Sequence, residues 1–140
     1  EVHQLKRDFP RLTIVTNGGI TSLDGVEEHL AHVDGVMLGR AIYDHLLLLA
    51  DADRRIFGDP DAREVDVAEL VEEAIDYARA QLAAGVRLHI VVKPLLGLFH
   101  GRPGARRWRR YLSQHVLGRD VDPAVLRDAL AHMRVDHAAA

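Results

Sequence analysis

The feature that most constrains this chain is a unit repeated in its first third. A short apolar, β-branched run ends in glycine and leads at once into an amphipathic stretch. Leu12-Thr13-Ile14-Val15-Thr16 runs into Asn17-Gly18-Gly19, and Gly35-Val36-Met37-Leu38 runs into Gly39-Arg40. Such runs, bounded by glycine, read as buried strands followed by tight turns. Between them Ser22 is placed to cap a helix, and Leu23, Val26, Leu30 and Val33 keep helical spacing. Residues 5–9 read as a helix tail stopped by Pro10, and residues 41–52 as a further helix. Helix, strand, helix, strand, helix with short connections is the βαβ rhythm of a parallel sheet.

Two parallel strands are too few to stand alone, because such strands need cover on both faces and a lone pair leaves open edges. A complete (β/α)₈ barrel takes about 250 residues, so 140 residues that turn helical after two strands leave room for only its last quarter. The chain also opens on Glu1-Val2-His3 without an initiator Met. Together these features create the expectation of a piece from the C-terminal part of a longer protein.

After the loop Phe57-Gly58-Asp59-Pro60 the strand pattern disappears. Residues 67–82 read as a helix with Leu70, Val71, Ala74, Ile75, Ala78 and Leu82 on one side. Gly85 marks a break. The apolar residues 88–99 hold Pro94 and Gly97 and read as helix around 89–98, with strand left open. Residues 101–104 form a turn, 105–117 a helix, and Pro123 starts a last helix to about residue 133. The expected fold class is therefore α/β plus all-α. Residues 1–57 supply the last βα units of a (β/α)₈ TIM barrel, and residues 58–140 a small helical bundle domain.

Hydrophobic residues make up 48% and charged residues 28%, a globular balance. There is no cysteine, hence no disulfide framework and no thiol to act as nucleophile or acid. No apolar stretch approaches the roughly 18 residues of a membrane span, and no secretory signal is present, so a soluble, cytoplasmic origin is expected. The net charge of −3 hides an asymmetry. Residues 77–119 contain no Asp or Glu but hold nine of the 18 Lys and Arg residues, while acids crowd both flanks. Composition alone does not choose between a polyanion-facing surface and a solvated basic face.

Two constellations carry chemistry. Asn17-Gly18-Gly19 and Gly39-Arg40 stand at the C-terminal tips of consecutive parallel strands, each before a helix. Glycine lets the backbone approach a ligand, the next helix offers free N–H groups, and Arg40 adds a bidentate cation. Each tip alone is satisfied by a tight turn; the two tips with Arg40 favour a phosphate site of the kind that follows the last strands of such barrels. In the second constellation, at roughly 100° per residue, Arg106, Arg109 and Arg110 share one helix face with Arg107 at its edge. Trp108, Tyr111, Leu112 and Val116 lie opposite and can dock on the bundle. Guanidinium groups at i, i+3 and i+4 repel one another, and a polyanion converts that repulsion to attraction. With no acid nearby, RNA or another polyanion is favoured over arginines stacked on Trp108 or paired elsewhere.

Nine histidines do not make a metal site. His29 and His32 have i, i+3 spacing, but no third ligand is visible, and His132 and His137 fall near the chain end. Ser113 and His115 are two apart on one helix and cannot face each other.

Leu5-Lys6-Arg7-Asp8-Phe9-Pro10, Asn17-Gly18-Gly19-Ile20, Asp34-Gly35-Val36-Met37-Leu38-Gly39-Arg40 and Leu96-Gly97-Leu98-Phe99-His100-Gly101-Arg102-Pro103-Gly104-Ala105-Arg106-Arg107-Trp108-Arg109-Arg110 resemble the C-terminal half of tRNA-dihydrouridine synthases. The last segment is similar to the A-type bacterial subfamily. The strand tips occur in several flavin barrels, whereas the Gly-Leu-Phe to Arg-Arg stretch is far more specific. The resemblance implies a flavin-binding TIM barrel followed by a helical tRNA-binding domain. It also implies reduction of the C5–C6 bond of tRNA uridines with NADPH as reductant and FMN as cofactor. Carried over by motif, Asn17, Gly18, Gly19, Gly39 and Arg40 are implied to hold FMN. Arg106 and Arg109 match tRNA-contacting positions, and Arg102, Arg107 and Arg110 are expected beside them on the RNA. The family's cysteine acid has no counterpart here, so no catalytic residue is assigned, and the segment after Arg40 lacks the usual Asn-Pro pair. The expected partner is tRNA, with no membrane and no metal, and the expected state is a monomer. Two alternatives remain: a stand-alone RNA-binding module without catalysis, and another flavin barrel such as a dihydroorotate-type dehydrogenase, in which the arginine helix has no role.

Overall fold

The structure, a computed structural model, describes residues 1–118 and 120–134; Arg119 and His137, both noted in the sequence, lie outside them. The chain packs as two compact units, residues 1–43 with 47–62, and residues 44–46 with the chain from Arg63 onward.

In the first unit α1 (Val2–Asp8) ends ahead of Pro10, and β1 (Val15–Asn17) pairs in parallel with β2 (Gly35–Met37). The register sets Val15 beside Gly35, Thr16 beside Val36 and Asn17 beside Met37. Between the strands runs α2 (Leu23–Leu30), capped as expected: the Ser22 hydroxyl accepts from the Gly25 N–H at 3.1 Å. Its buried side packs Leu23 and Val26 against Ile20, with Val36, Leu38, Leu48 and Ile56 closing the cluster. Lys6 organises the entry to both strands. Its ammonium lies 2.7 Å from the Asp34 carboxylate and donates to the Pro10 and Leu12 carbonyls, while Asp34 accepts from the Ile14 N–H at 2.8 Å.

The strands are shorter than the runs that announced them, and they are not buried on both faces. Ile14 and Thr16 point into the unit, but Val15 is 57% and Met37 48% exposed. Successive strand side chains point to opposite faces, and within this unit only one face is covered. Residues 41–52 also depart from the single helix expected. α3 (Arg40–Asp44) is followed by a 3-10 turn, Leu46–Asp51, and then α4 (Ala52–Arg55). Residues 44–46 belong to the second unit and residues 47–62 to the first, where Leu48 packs on the cluster around Ile20, Leu23 and Val26. The 3-10 turn has a tighter pitch than the expected helix, so its side chains do not continue the 3.6-residue spacing.

The second unit is helical. The Asp66 carboxylate caps α5 (Val67–Ala83), accepting from Ala68 N–H at 2.7 Å, and the helix buries Val71, Ile75 and Ala78. Residues 88–99 are helical rather than strand, but as two pieces, α6 (Leu88–Val92) and a 3-10 turn, Pro94–Gly97. Pro94 has no N–H to continue α6 and instead opens the next turn. α7 (Ala105–His115) and α8 (Val125–Arg134) pack chiefly against each other. α8 begins two residues after Pro123, where the Asp122 carboxylate accepts from the Ala124 N–H at 2.9 Å, and α7 ends at His115 rather than at residue 117. Trp108, fully buried, joins Leu98, Leu112, Leu126 and Ile75 in the core. Its ring meets Phe99 edge-on, with centroids 4.9 Å apart.

Candidate functional site

Parallel pairing puts the two glycine-tipped strand ends side by side. Asn17 and Met37 are register partners, and neighbouring strands run roughly 4.8 Å apart. Gly18 and Gly19 follow β1 with φ of 113° and 71°, and a Cβ at either would meet nothing within 4 Å. The turn thus needs glycine for its backbone and leaves open space above it. Leu38, Gly39 and Arg40 follow β2, and the Arg40 side chain is exposed. Gly39 has an ordinary φ, and its nearest neighbour is the Met37 sulfur at 3.9 Å from an added Cβ. α3 spans only five residues, so its dipole adds little to the charge of Arg40.

In the second unit the helical-wheel division holds. Trp108, Leu112 and Val116 are buried, Tyr111 is half-buried, and Arg106, Arg107, Arg109 and Arg110 are exposed. The left-handed Gly104, φ 85°, starts α7 and lets Met133 of α8 approach closely; an added Cβ would lie 3.2 Å from its terminal methyl. The turn therefore brings Arg102 into one concavity of about 520 Å³ with Arg106, Arg107 and Arg109. Arg110 faces a different one, of about 340 Å³, lined also by Arg107, Tyr111, Gln114 and His132. Arg107 borders both. Sequence reasoning grouped Arg110 with Arg106 and Arg109 and passed over Gln114 and His132. Positions 107, 110, 111 and 114 do form an i, i+3, i+4, i+7 stripe that was available to it; His132 joins only through packing.

The structure also sorts the cations by role. Arg79 sits 3.1 Å from Asp76 and 3.9 Å from Asp122, and Arg127 makes a bidentate pair with Glu72 at 2.6 and 2.5 Å. Arg55 joins Glu27 and Asp24 in the first unit, which pushes its pKa up. The hydrogen bonds from Arg127 hold the Glu72 carboxyl below its ordinary range. By contrast, the guanidinium groups of Arg40, Arg102, Arg106, Arg109 and Arg110 make no hydrogen bond or ion pair among the described residues.

Compared with known proteins, residues 1–133 match the family model described as dihydrouridine synthase (Dus). The chain belongs to the dihydrouridine synthase family. The matched residues include both strand tips and the whole of α7. The chain is 48% identical over 129 residues to a tRNA-dihydrouridine(20/20a) synthase of Salmonella typhi, covering 92% of this chain and 39% of that one. Identity is 46% over 129 residues, 92% and 37%, for the Escherichia coli K12 protein of that name. It is 44% over 130 residues, 93% and 37%, for that of Yersinia pestis. The chain thus spans 37–39% of the length of these curated relatives.

In this chain the histidines gather more than their spacing suggested. His3 of α1 joins His29 and His32: His3 Nε2 and His29 Nδ1 share a hydrogen bond at 2.9 Å, and the His3 and His32 rings lie 4.5 Å apart. The third histidine that sequence spacing lacked is present, but no group of three or more metal-binding side chains among the described residues is placed to hold an ion. Partial burial, then His32 and His29, lower the His3 pKa. His132, expected near a frayed end, lies within α8 and packs on Tyr111. No helix among the described residues is long and apolar enough to cross a membrane.

Proposed function

We propose that this chain is the phosphate-holding and RNA-facing part of a flavin-dependent tRNA-dihydrouridine synthase of the A type. The proposed substrate is tRNA, modified at uridines 20 and 20a as the names of its relatives state. The observation that carries this reading is the set of four exposed guanidinium groups on and before α7 that lack carboxylate partners among the described residues, in a chain of this family. The first unit contributes the last βα units of a flavin barrel, and the second a helical tRNA-binding domain.

FMN, bound here and reduced by NADPH, would supply the hydride for the uridine C5–C6 bond, which also takes up one proton. The residues present fit its phosphate: the Gly18-Gly19 turn has open space above a backbone that only glycine adopts easily, and Arg40 stands at the adjacent tip without a partner. In this reading Asn17, Gly18, Gly19 and Gly39 let the main chain close on the phosphate, and Arg40 balances its charge. Arg102, Arg106, Arg107, Arg109 and Arg110 draw in the tRNA backbone and set its register without reading sequence. No cysteine is available to donate a proton, so these 140 residues alone bind but do not reduce uridine.

The test is a titration of the purified chain with an unmodified tRNA transcript over a series of salt concentrations. Binding at low salt that weakens log-linearly as salt rises supports the reading. No binding at low salt, or binding indifferent to salt, overturns it.

A further inference from the structure

Beside the arginine face α7 carries a second feature that phosphate contacts do not use. Tyr111 stacks on His115, with centroids 4.1 Å apart and planes at 16°, and also meets His132 at 4.5 Å and 33°. Two imidazoles so close to one phenol ring cannot share a face, so the three rings form a column with Tyr111 in the middle. His115 does not line the concavity of about 340 Å³, whereas Tyr111 and His132 do, together with Arg110 and Gln114. The column thus opens onto a hollow that also holds a guanidinium group and a side-chain amide. Its volume lies at the small end of ligand pockets, roughly 300–1,000 Å³, which suits one nucleotide and not a duplex.

We propose that this hollow takes a single unpaired nucleotide of the bound RNA. The base extends the column at His132, the Gln114 amide meets its polar edge, and Arg110 meets its phosphate. Aromatic and imidazole rings are the usual platforms for unstacked RNA bases. The proposal rests on the RNA-facing role of α7 and adds to it a preference for single-stranded RNA at a defined place.

The experiment uses the full chain and two probes: a single-stranded RNA oligonucleotide carrying one 2-aminopurine, and the same strand annealed to its complement. The expected result is quenching of the 2-aminopurine by the single strand's binding, and none with the duplex. His132→Ala should remove the quench and weaken single-strand binding by about fivefold or more, with the slope of log K against log salt unchanged. His132→Phe, which keeps a ring, should retain both. Arg110→Ala should instead lower the slope by about 0.7. Single-strand binding without quenching, or a quench that survives His132→Ala, overturns the nucleotide pocket and leaves the arginine surface standing. If neither tRNA nor oligonucleotide binds at low salt, both readings fall. Thermal melts monitor the fold of each variant. Where His132→Ala does not fold, the wild-type quench, present or absent, decides.

Discussion

The indole Nε1 of Trp108 donates a hydrogen bond to the main-chain carbonyl of Leu95 across 2.8 Å, tying α7 to the Pro94–Gly97 turn. Because the ring is fully buried against Phe99, one side chain both fills the core and orients the helix that carries the arginines.

Trp108→Ala should cost about 3–5 kcal/mol through lost burial and the cavity left behind. Trp108→Phe keeps much of the volume but removes the indole donor, leaving the Leu95 carbonyl its bond from the Leu98 N–H, and should cost about 0.5–1.5 kcal/mol for the lost hydrogen bond. Urea denaturation of the two variants measures both. A Trp108→Phe variant as stable as the parent would show that the hydrogen bond contributes nothing beyond packing.

Gly104→Ala tests the start of α7. The left-handed backbone penalises any side chain by about 1–2 kcal/mol, and Met133 must also give way to the new methyl. A lower melting temperature is expected, with recovery in part when Met133→Ala is added. A neutral Gly104→Ala would show that the turn relaxes freely.

Acidification should weaken the first unit through His3. Its folded pKa is lowered by partial burial and by His32 and His29, so the unfolded chain takes up a proton more readily. The contribution is complete above the ordinary value of 6.5 and is lost as pH falls from there toward the folded pKa. Melting temperature followed from pH 8 to about pH 5 should decline, and His3→Gln should flatten the decline. An unaltered pH profile in His3→Gln would assign the loss to other groups.

Arg106→Ala combined with Arg109→Ala should weaken tRNA binding and reduce the slope of log K against log salt by about 2, near one unit per lost phosphate contact. Arg79→Ala is the control, since Arg79 is paired with Asp76 and Asp122 and its removal should leave the slope alone. The reading of α7 fails if both variants change the slope equally.

Local chemistry made much of this chain legible without coordinates. Ser22 lies ahead of a helix that its side chain caps, and the apolar spacing of α2, α5 and α7 marks the buried faces. The basic stripe of α7 was readable for the same reason: helical period and charge are properties of neighbouring residues. Where the sequence misled, a helix was interrupted, as at the 3-10 turn Leu46–Asp51, or a face had no cover, as at Val15 and Met37.

Thus the amino-acid order by itself determined where α2, α5 and α7 begin, which of their faces are apolar, that Gly18 and Gly19 must turn the chain after β1, and which family the chain resembles. Only the tertiary structure decided which cations already have carboxylate partners, that Arg102 shares a concavity with Arg106 and Arg109, and that His132 closes a ring column on Tyr111. Capping, periodicity and turn strain act over a few residues and are written in local sequence. Ion pairing, concavities and ring stacks join residues that are far apart along the chain, and their geometry exists only once the helices have packed.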